Sequence, residues 1–260
     1  MTNSDQITPK SQTQSVSLPP NLKPEINKGL RTAFEKTVEL IGHADAMREL
    51  GFAVQIIAKS AELQKCSVKS IIDSVVNAAR AKVTLNPSLR LAYLIPRKGE
   101  AVLDISYMGL ITILKKSGGC KYVEAFVVFQ DEDFNYNPAM GTLNHTPHFV
   151  DTEAEQKKRK IIGAYSRAVL PSNDVVFSFM PYWELEKVKR FSKGSESKWS
   201  PWNDWEEEMI KKSVIKRHFK FLVSGSEVAE VVEALRIEED NNPLVKETNK
   251  PSSLFDLEFE

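Results

Sequence analysis

The chain has 260 residues, 42 % of them hydrophobic, enough for one large domain or one domain with tails; its 35 basic and 35 acidic side chains cancel. The cancellation hides an asymmetry: from Glu227 onward ten acids face three bases, a balance of −7, so residues 1–226 carry +7, the pattern of a body that meets a polyanion. The two cysteines, Cys66 and Cys120, lie far apart and exclude a disulfide framework, which reads as cytosolic, and no apolar run approaches the roughly 20 residues that span a membrane.

The first residues, Met1 to Pro20, are rich in Ser, Thr, Gln and Asn and lack the apolar stretch of a signal peptide. We expect a disordered leader over 1–28, with order beginning near Pro24 or Gly29. Leu30, Phe34, Val38 and Ile41 recur at helical spacing, and an apolar-rich segment runs from about Phe52 to Leu63. Ser67 is a plausible N-cap for a helix through Ile71, Ile72, Val75, Val76 and Ala79. The period then shortens. Leu91–Ile95 and Ala101–Ile105 flank Pro96-Arg97-Lys98-Gly99-Glu100 as a β-hairpin, followed by a helix over Tyr107–Lys116 that stops at Gly118-Gly119.

Strands are expected at Val123–Phe129, Asp133–Tyr136, Thr142–Phe149, Ile161–Leu170 and Val175–Met180, with a turn at Pro171–Asp174. Pro181 suits the first turn of a helix reaching about Lys193. Ser200-Pro201 starts another that reaches Leu222, and a last amphipathic segment covers about Glu227–Ile237. These blocks predict an α+β fold, a largely antiparallel sheet flanked by helices. Residues 29–237 form the expected core and 238–260 an acidic, largely disordered tail.

The helix over Glu206–Leu222 carries the strongest chemical signal. At about 100° per residue, Ile210, Val214, Ile215, His218, Phe219, Phe221 and Leu222 share one half. Lys212, Lys216 and Lys220 form an i, i+4, i+8 ridge on the other, with Arg217 near its edge. Four residues rise about 6 Å, a pitch at which ammonium groups can meet successive phosphates. An ordinary solvated face is the alternative, but the ridge itself contains no acid. Lys187, Lys189, Arg190 and Lys193 crowd the end of the preceding helix; complementing the helix C-terminus needs fewer cations. Arg97 and Lys98 at the hairpin tip, with Lys115 and Lys116, form a third set. Lys157-Lys158-Arg159-Lys160 reads as a mobile loop whose contact with DNA is left open. Trp199, Trp202 and Trp205 could stack on bases, though Trp202 and Trp205 at helical spacing fit a core better. Tyr107 fits either a core or a base-stacking platform.

Signals for catalysis are weaker. His145 and His148 make an HxxH outside a helix with no evident third ligand, which fits a structural role. Asp131, Glu132 and Asp133 could suggest a nuclease metal site, but acids at a turn commonly just solvate it. No glycine is followed by lysine, so the phosphate-cradling GxxxxGK[ST] loop is absent. No catalytic residue and no protein metal site are expected.

Several stretches resemble motifs of one family. Leu91-Ala92-Tyr93-Leu94-Ile95-Pro96 resembles its AYLLPF strand, and Ile105-Ser106-Tyr107-Met108-Gly109-Leu110 its IGYRGM element. Lys115-Lys116-Ser117-Gly118 resembles RRSG, Asp131-Glu132-Asp133-Phe134 resembles EGDEF, and His145-Thr146-Pro147 resembles HRP. Pro201-Trp202 and Trp205-Glu206-Glu207-Glu208-Met209 resemble PWVTHWEEM, and Lys211-Lys212-Ser213-Val214-Ile215-Lys216-Arg217 resembles KKTAIRR. Met108 and Lys216 stand where arginine is common. In order, from about Ile71 to Leu222, these stretches resemble the phage RecT/Redβ family of single-strand annealing proteins, in its RecT branch.

The resemblance implies an ATP-independent recombination protein, phage- or prophage-encoded and cytoplasmic in a bacterial host. It would form rings or helical filaments, lay single-stranded DNA in a basic groove and hold the annealed duplex. No cofactor is implied; Mg²⁺ enters only as an aid to annealing. A phage exonuclease or the host single-strand-binding protein would be its partners. A passive single-strand-binding replication module and a metal-dependent nuclease are the competing readings.

Overall fold

The computed structural model describes residues 22–192, 197–198, 200–224 and 226–241. In chain order these form α1 (Pro24–Ile41), α2 (His43–Lys59), a 3₁₀ turn at Leu63–Lys65, α3 (Val68–Arg80), β1 (Ala92–Arg97), β2 (Glu100–Ile105), α4 (Tyr107–Lys116), β3 (Tyr122–Phe129), β4 (Asp133–Asn137) and β5 (Thr142–Thr146). There follow α5 (Glu153–Gln156), β6 (Ile161–Val169), β7 (Val175–Pro181), α6 (Tyr182–Phe191), α7 (Pro201–Asp204), α8 (Glu206–Leu222) and α9 (Ala229–Asn241).

Local chemistry sets most of these boundaries. The Ser67 hydroxyl accepts from the Ser70 N–H and caps α3, and Ser106 does the same for Gly109 at α4. The β1–β2 register closes on Arg97↔Glu100, leaving Lys98-Gly99 as a two-residue loop with both φ positive, at 51° and 80°. That is the hairpin turn whose twist matches the strands. Gly109 answers a different need. A Cβ there would lie 2.2 Å from the Leu91 carbonyl oxygen, because the start of the hairpin passes directly over the first turn of α4.

Among the described residues, strand pairing is antiparallel and falls into three sheets: β1–β2, β3–β6–β7 and β4–β5. Helices flank them, as the α+β reading expects. One core joins α1, α2, α3, the β1–β2 hairpin, α4 and α9 through residues such as Leu30, Ile57, Ile71, Leu85, Ile105 and Leu110. A second lies between the three-stranded sheet and α6–α8, built on Val127, Phe129, Ala164, Met180, Trp202, Ile210 and Val214. Along β6 the face beneath α8 is made of small residues, with Ala164, Ser166 and Ala168 fully buried. The opposite face is aromatic: Phe126, Tyr165 and Phe179 stack with one another or with Phe134 of the β4–β5 hairpin laid across them. Burial there pushes the Tyr165 hydroxyl up to about 12.

Several boundaries differ from expectation. Helix α2 starts at His43, nine residues before the apolar segment, because its first turns are amphipathic, with Ala46 and Leu50 buried. The strand expected over Thr142–Phe149 stops at Thr146, where Pro147 has no N–H to continue a ladder. The helix expected from Ser200 to Leu222 breaks at Trp205 into α7 and α8. The last helix runs to Asn241, held by hydrogen bonds from the Asn241 side chain to the Leu103 carbonyl and from Arg97 to the Asn241 carbonyl.

His218 is the polar anchor of this arrangement. It is 2 % exposed and its Nδ1 lies 3.0 Å from the Ser166 hydroxyl on the sheet. Burial holds its pKa down at about 4, against roughly 6.5 for an unfolded chain. The neutral ring is therefore favoured in the folded state. Its contribution is fully present above pH 6.5, is lost as pH falls, and is gone once pH passes below about 4, a loss of about 3 kcal/mol. Urea midpoints measured across that window should fall more steeply for the wild type than for His218→Gln. Parallel pH profiles would show that His218 does not carry the effect.

Candidate nucleic-acid interface

Helix α8 carries the principal cations. Ile210, Val214, Ile215, His218 and Phe219 are buried as the periodicity predicts, but Phe221 is 66 % exposed. Phe219 and Val223, four residues apart, take the inward positions of the last turn, and Phe221 falls between them facing outward.

The lysine ridge is not the acid-free solvated row that the helix alone suggests. Lys216 Nζ lies 2.9 Å from Glu238 of α9 and 3.8 Å from Asp104 of β2. Both acids come from elements distant in sequence. Burial pushes the Lys212 ammonium pKa down, the charges of Lys216 and Arg97 push the same way, and Asp104 and Glu238 oppose them. Burial also raises the Glu238 carboxyl, against the pull of Lys216. Lys220 makes no ion pair among the described residues. Arg217 turns away from the ridge and pairs with Glu184 of α6.

The fold thus gathers Arg97, Lys212 and Lys216 at a seam between the β1–β2 hairpin, α8 and α9. Lys98 is exposed at the hairpin tip. Lys115 and Lys116 are exposed at the end of α4, and Tyr107 is half-buried at its start. The α6 set lies on the other flank of α8, where Arg217 is. There Lys189 is paired with Glu206 at 2.9 Å and sits 5.8 Å from the Trp202 ring. Lys187 stands 4.6 Å over the ring of Trp183, and Arg190 is exposed. Lys193 and Trp199 lie outside the described residues. Trp202 is buried as expected, but Trp205 is 67 % exposed. The break between α7 and α8 falls on Trp205, with φ −131° and ψ 41°, so the 100° stepping that would place it inside does not pass through it.

The residues that could have formed a metal centre make a different structure. The Glu132 side chain is 3 % exposed and accepts from the Phe129 N–H, His145 Nε2, Arg159 Nη2 and the His148 N–H. Burial alone would raise its pKa; these bonds outweigh burial and hold it below the usual carboxylate range. Nδ1 of His145 faces the Tyr165 hydroxyl at 3.3 Å, so both ring nitrogens are engaged. His148 Nδ1 lies 3.1 Å from Asp131. Arg159 is 8 % exposed, bonds Asp131, Glu132, Gln156 and the His148 carbonyl, and lies 4.1 Å above the Phe129 ring. Two expectations are corrected here: Glu132 is a buried acid rather than a solvated turn residue, and Arg159 is pinned rather than part of a mobile basic loop. Nothing local distinguishes Arg159 from its three lysine neighbours; only the tertiary fold does.

Removing one partner of a buried pair strands the other charge, at about 3–5 kcal/mol. Arg159→Ala should lose that much stability by urea denaturation. Arg159→Lys should recover little, because an ammonium cannot reproduce the planar fork. Lys158→Ala, at an exposed neighbour, should be neutral; equal midpoints for all three variants would contradict the clasp.

A sequence profile of the RecT family matches residues 47–247, which spans the hairpin, all three sheets and α8. Protein RecT of Escherichia coli (strain K12) is 27 % identical over 199 residues, covering 73 % of this chain and 71 % of that protein. The uncharacterized protein YqaK of Bacillus subtilis (strain 168) is 28 % identical over 160 residues, covering 59 % of this chain and about half, 51 %, of YqaK. The chain belongs to the RecT family, and with it to the proteins of DNA recombination and annealing.

Proposed function

We propose that this chain binds single-stranded DNA and promotes pairing of complementary strands without ATP, acting as an oligomer with the DNA along a basic seam. The observation that carries this reading is the gathering of Arg97, Lys212 and Lys216 at one seam, where burial first, and the charges of Lys216 and Arg97 after it, depress the proton affinity of Lys212 against the pull of Asp104 and Glu238. Like charges held together cost free energy, and a phosphate backbone relieves that cost while releasing its counterions.

A motor is not required. Duplex stacking supplies roughly 1.4 kcal/mol per step, so annealing is downhill and its obstacles are kinetic: strand repulsion, self-structure and wrong register. Cations on the first strand lower the repulsion, and contacts to the backbone alone leave base edges open to a second strand. Mg²⁺ would act on the strands by screening them.

The central test follows fluorescently labelled complementary oligonucleotides, with gels of the same DNA. Pairing should accelerate with no nucleotide present and the DNA should stay intact. Acceleration only with ATP, tight binding without pairing, or cleavage would each refute the proposal. The cleanest single cation to remove is Lys220, because removing Lys216 would strand Glu238. Lys220→Ala should weaken binding alike on all sequences and flatten the log–log salt slope by about 0.7, one phosphate contact on a single strand.

Glu238 defines a further expectation. It is the first acid of the C-terminal acidic segment and already neutralises Lys216. Glu238→Gln keeps a hydrogen-bonding side chain and removes the competing charge. Single-strand affinity should rise about three- to tenfold at low salt, and the gain should shrink as screening grows. Unchanged affinity at low salt would remove Glu238 from the competition.

A further inference from the structure

Helix α6 presents an outer stripe that no described element covers. At about 100° per residue, Trp183, Lys187, Arg190 and Phe191 point within an arc of about 100° of the helix circumference. The opposite side is packed: Leu185 is buried in the second core, and Tyr182 and Val188 pack against it. Trp183 is 54 % exposed and Phe191 51 %, four residues either side of Lys187. The Lys187 ammonium lies 4.6 Å over the Trp183 ring, and neither Lys187 nor Arg190 forms an ion pair among the described residues. Of the acids beside the stripe, Glu184 is engaged with Arg217, and Glu186, four residues before Arg190, is exposed at its other edge.

We infer that this stripe is a base-stacking contact for single-stranded nucleic acid, with Trp183 and Phe191 taking unpaired bases and Lys187 and Arg190 the adjoining phosphates. The inference rests on the single-strand-binding function proposed above and adds to it a site on the opposite flank of α8 from the lysine seam. An apolar protein surface would match the two rings but leave two cations facing it. Duplex DNA would match the cations, but its bases are already stacked on one another. An unpaired strand offers both: flat apolar faces, and an anion at every residue. The Lys187–Trp183 contact gives the site a coupling. A base that takes the ring face displaces the ammonium, which is then available to the phosphate of that nucleotide.

The experiment uses the full chain and two probes, an oligothymidylate and an abasic deoxyribose-phosphate oligomer of equal length, with affinities from fluorescence anisotropy. Trp183→Ala should weaken oligothymidylate binding about tenfold, one lost base stack, and leave the abasic oligomer unchanged. Trp183→Phe keeps a ring and should retain most of the affinity. Lys187→Gln should weaken both probes and flatten the salt slope by about 0.7. Equal affinities of Trp183→Ala and wild type for oligothymidylate would overturn the inference, as would an equal loss on both probes. A change in oligomer size by sedimentation with thymidylate affinity unaltered would overturn it too, assigning the stripe to contact between copies. If the wild type binds neither probe, the proposed function itself fails, a result distinct from any of these.

Discussion

Helix α8 belongs to both hydrophobic cores. Phe219 closes the core of α1–α4 and α9, while Ile210 and Val214, a few residues earlier, close the one over the three-stranded sheet. Because the two cores approach the helix from different sides, its apolar arc is wide and drifts around the axis as the chain proceeds. Lys212 and Lys216 are left at the edge of that arc, where their stems are half-buried and their ammonium groups emerge at a seam. The small residues Ala164, Ser166 and Ala168 on β6 let α8 lie close to the sheet. The His218–Ser166 bond then fixes its rotation about its own axis. A shift of one residue in that rotation would move the cations about 100° and bury or scatter them.

Much of this fold can be read from local patterns. Ser67, Ser106, Lys98-Gly99 and Pro181 mark element ends through caps and turns whose chemistry acts over a few residues, and β3, β6 and β7 are apolar-rich runs, as strands covered on both faces require. What local patterns miss is pairing across the fold. Lys216 looks unopposed along its own helix, yet its acids come from β2 and α9. Arg159 sits in a run of four basic residues, and its burial depends on Glu132, twenty-seven residues earlier. The exposed ring of Trp205 and the buried ring of Trp202 differ only by a kink that no periodicity reports. The stripe on α6 was legible in principle, since Leu185 and Val188 define the packed side opposite to it.

The zero net charge also reads differently with the fold in view. Several cations of the basic body are committed to structure: Arg159 inside the clasp, Lys189 on Glu206, Arg217 on Glu184. Counting basic residues therefore overstates the surface that can attract a polyanion. The remaining attraction is local, set by which cations stay solvated and which acid stands beside them, and only partly by the overall charge.

Helix α9 has a consequence for synthesis. Its Val231, Ala234 and Ile237 are buried against β2, α3 and α4, and Asn241 bonds to Leu103, 138 residues earlier. The first core is therefore left with an open apolar trough while the 138 residues from Leu103 to Asn241 are being made. A ribosome adds roughly 5–20 residues per second, so the interval between the exit of β2 and the docking of α9 lasts on the order of ten seconds. During that time the trough is a sticky surface available to chaperones and to neighbouring nascent chains. Lys216 precedes Glu238 by only 22 residues, so its ammonium stays unpaired by that acid for only about one to four seconds of synthesis, a far shorter exposure than that of the trough.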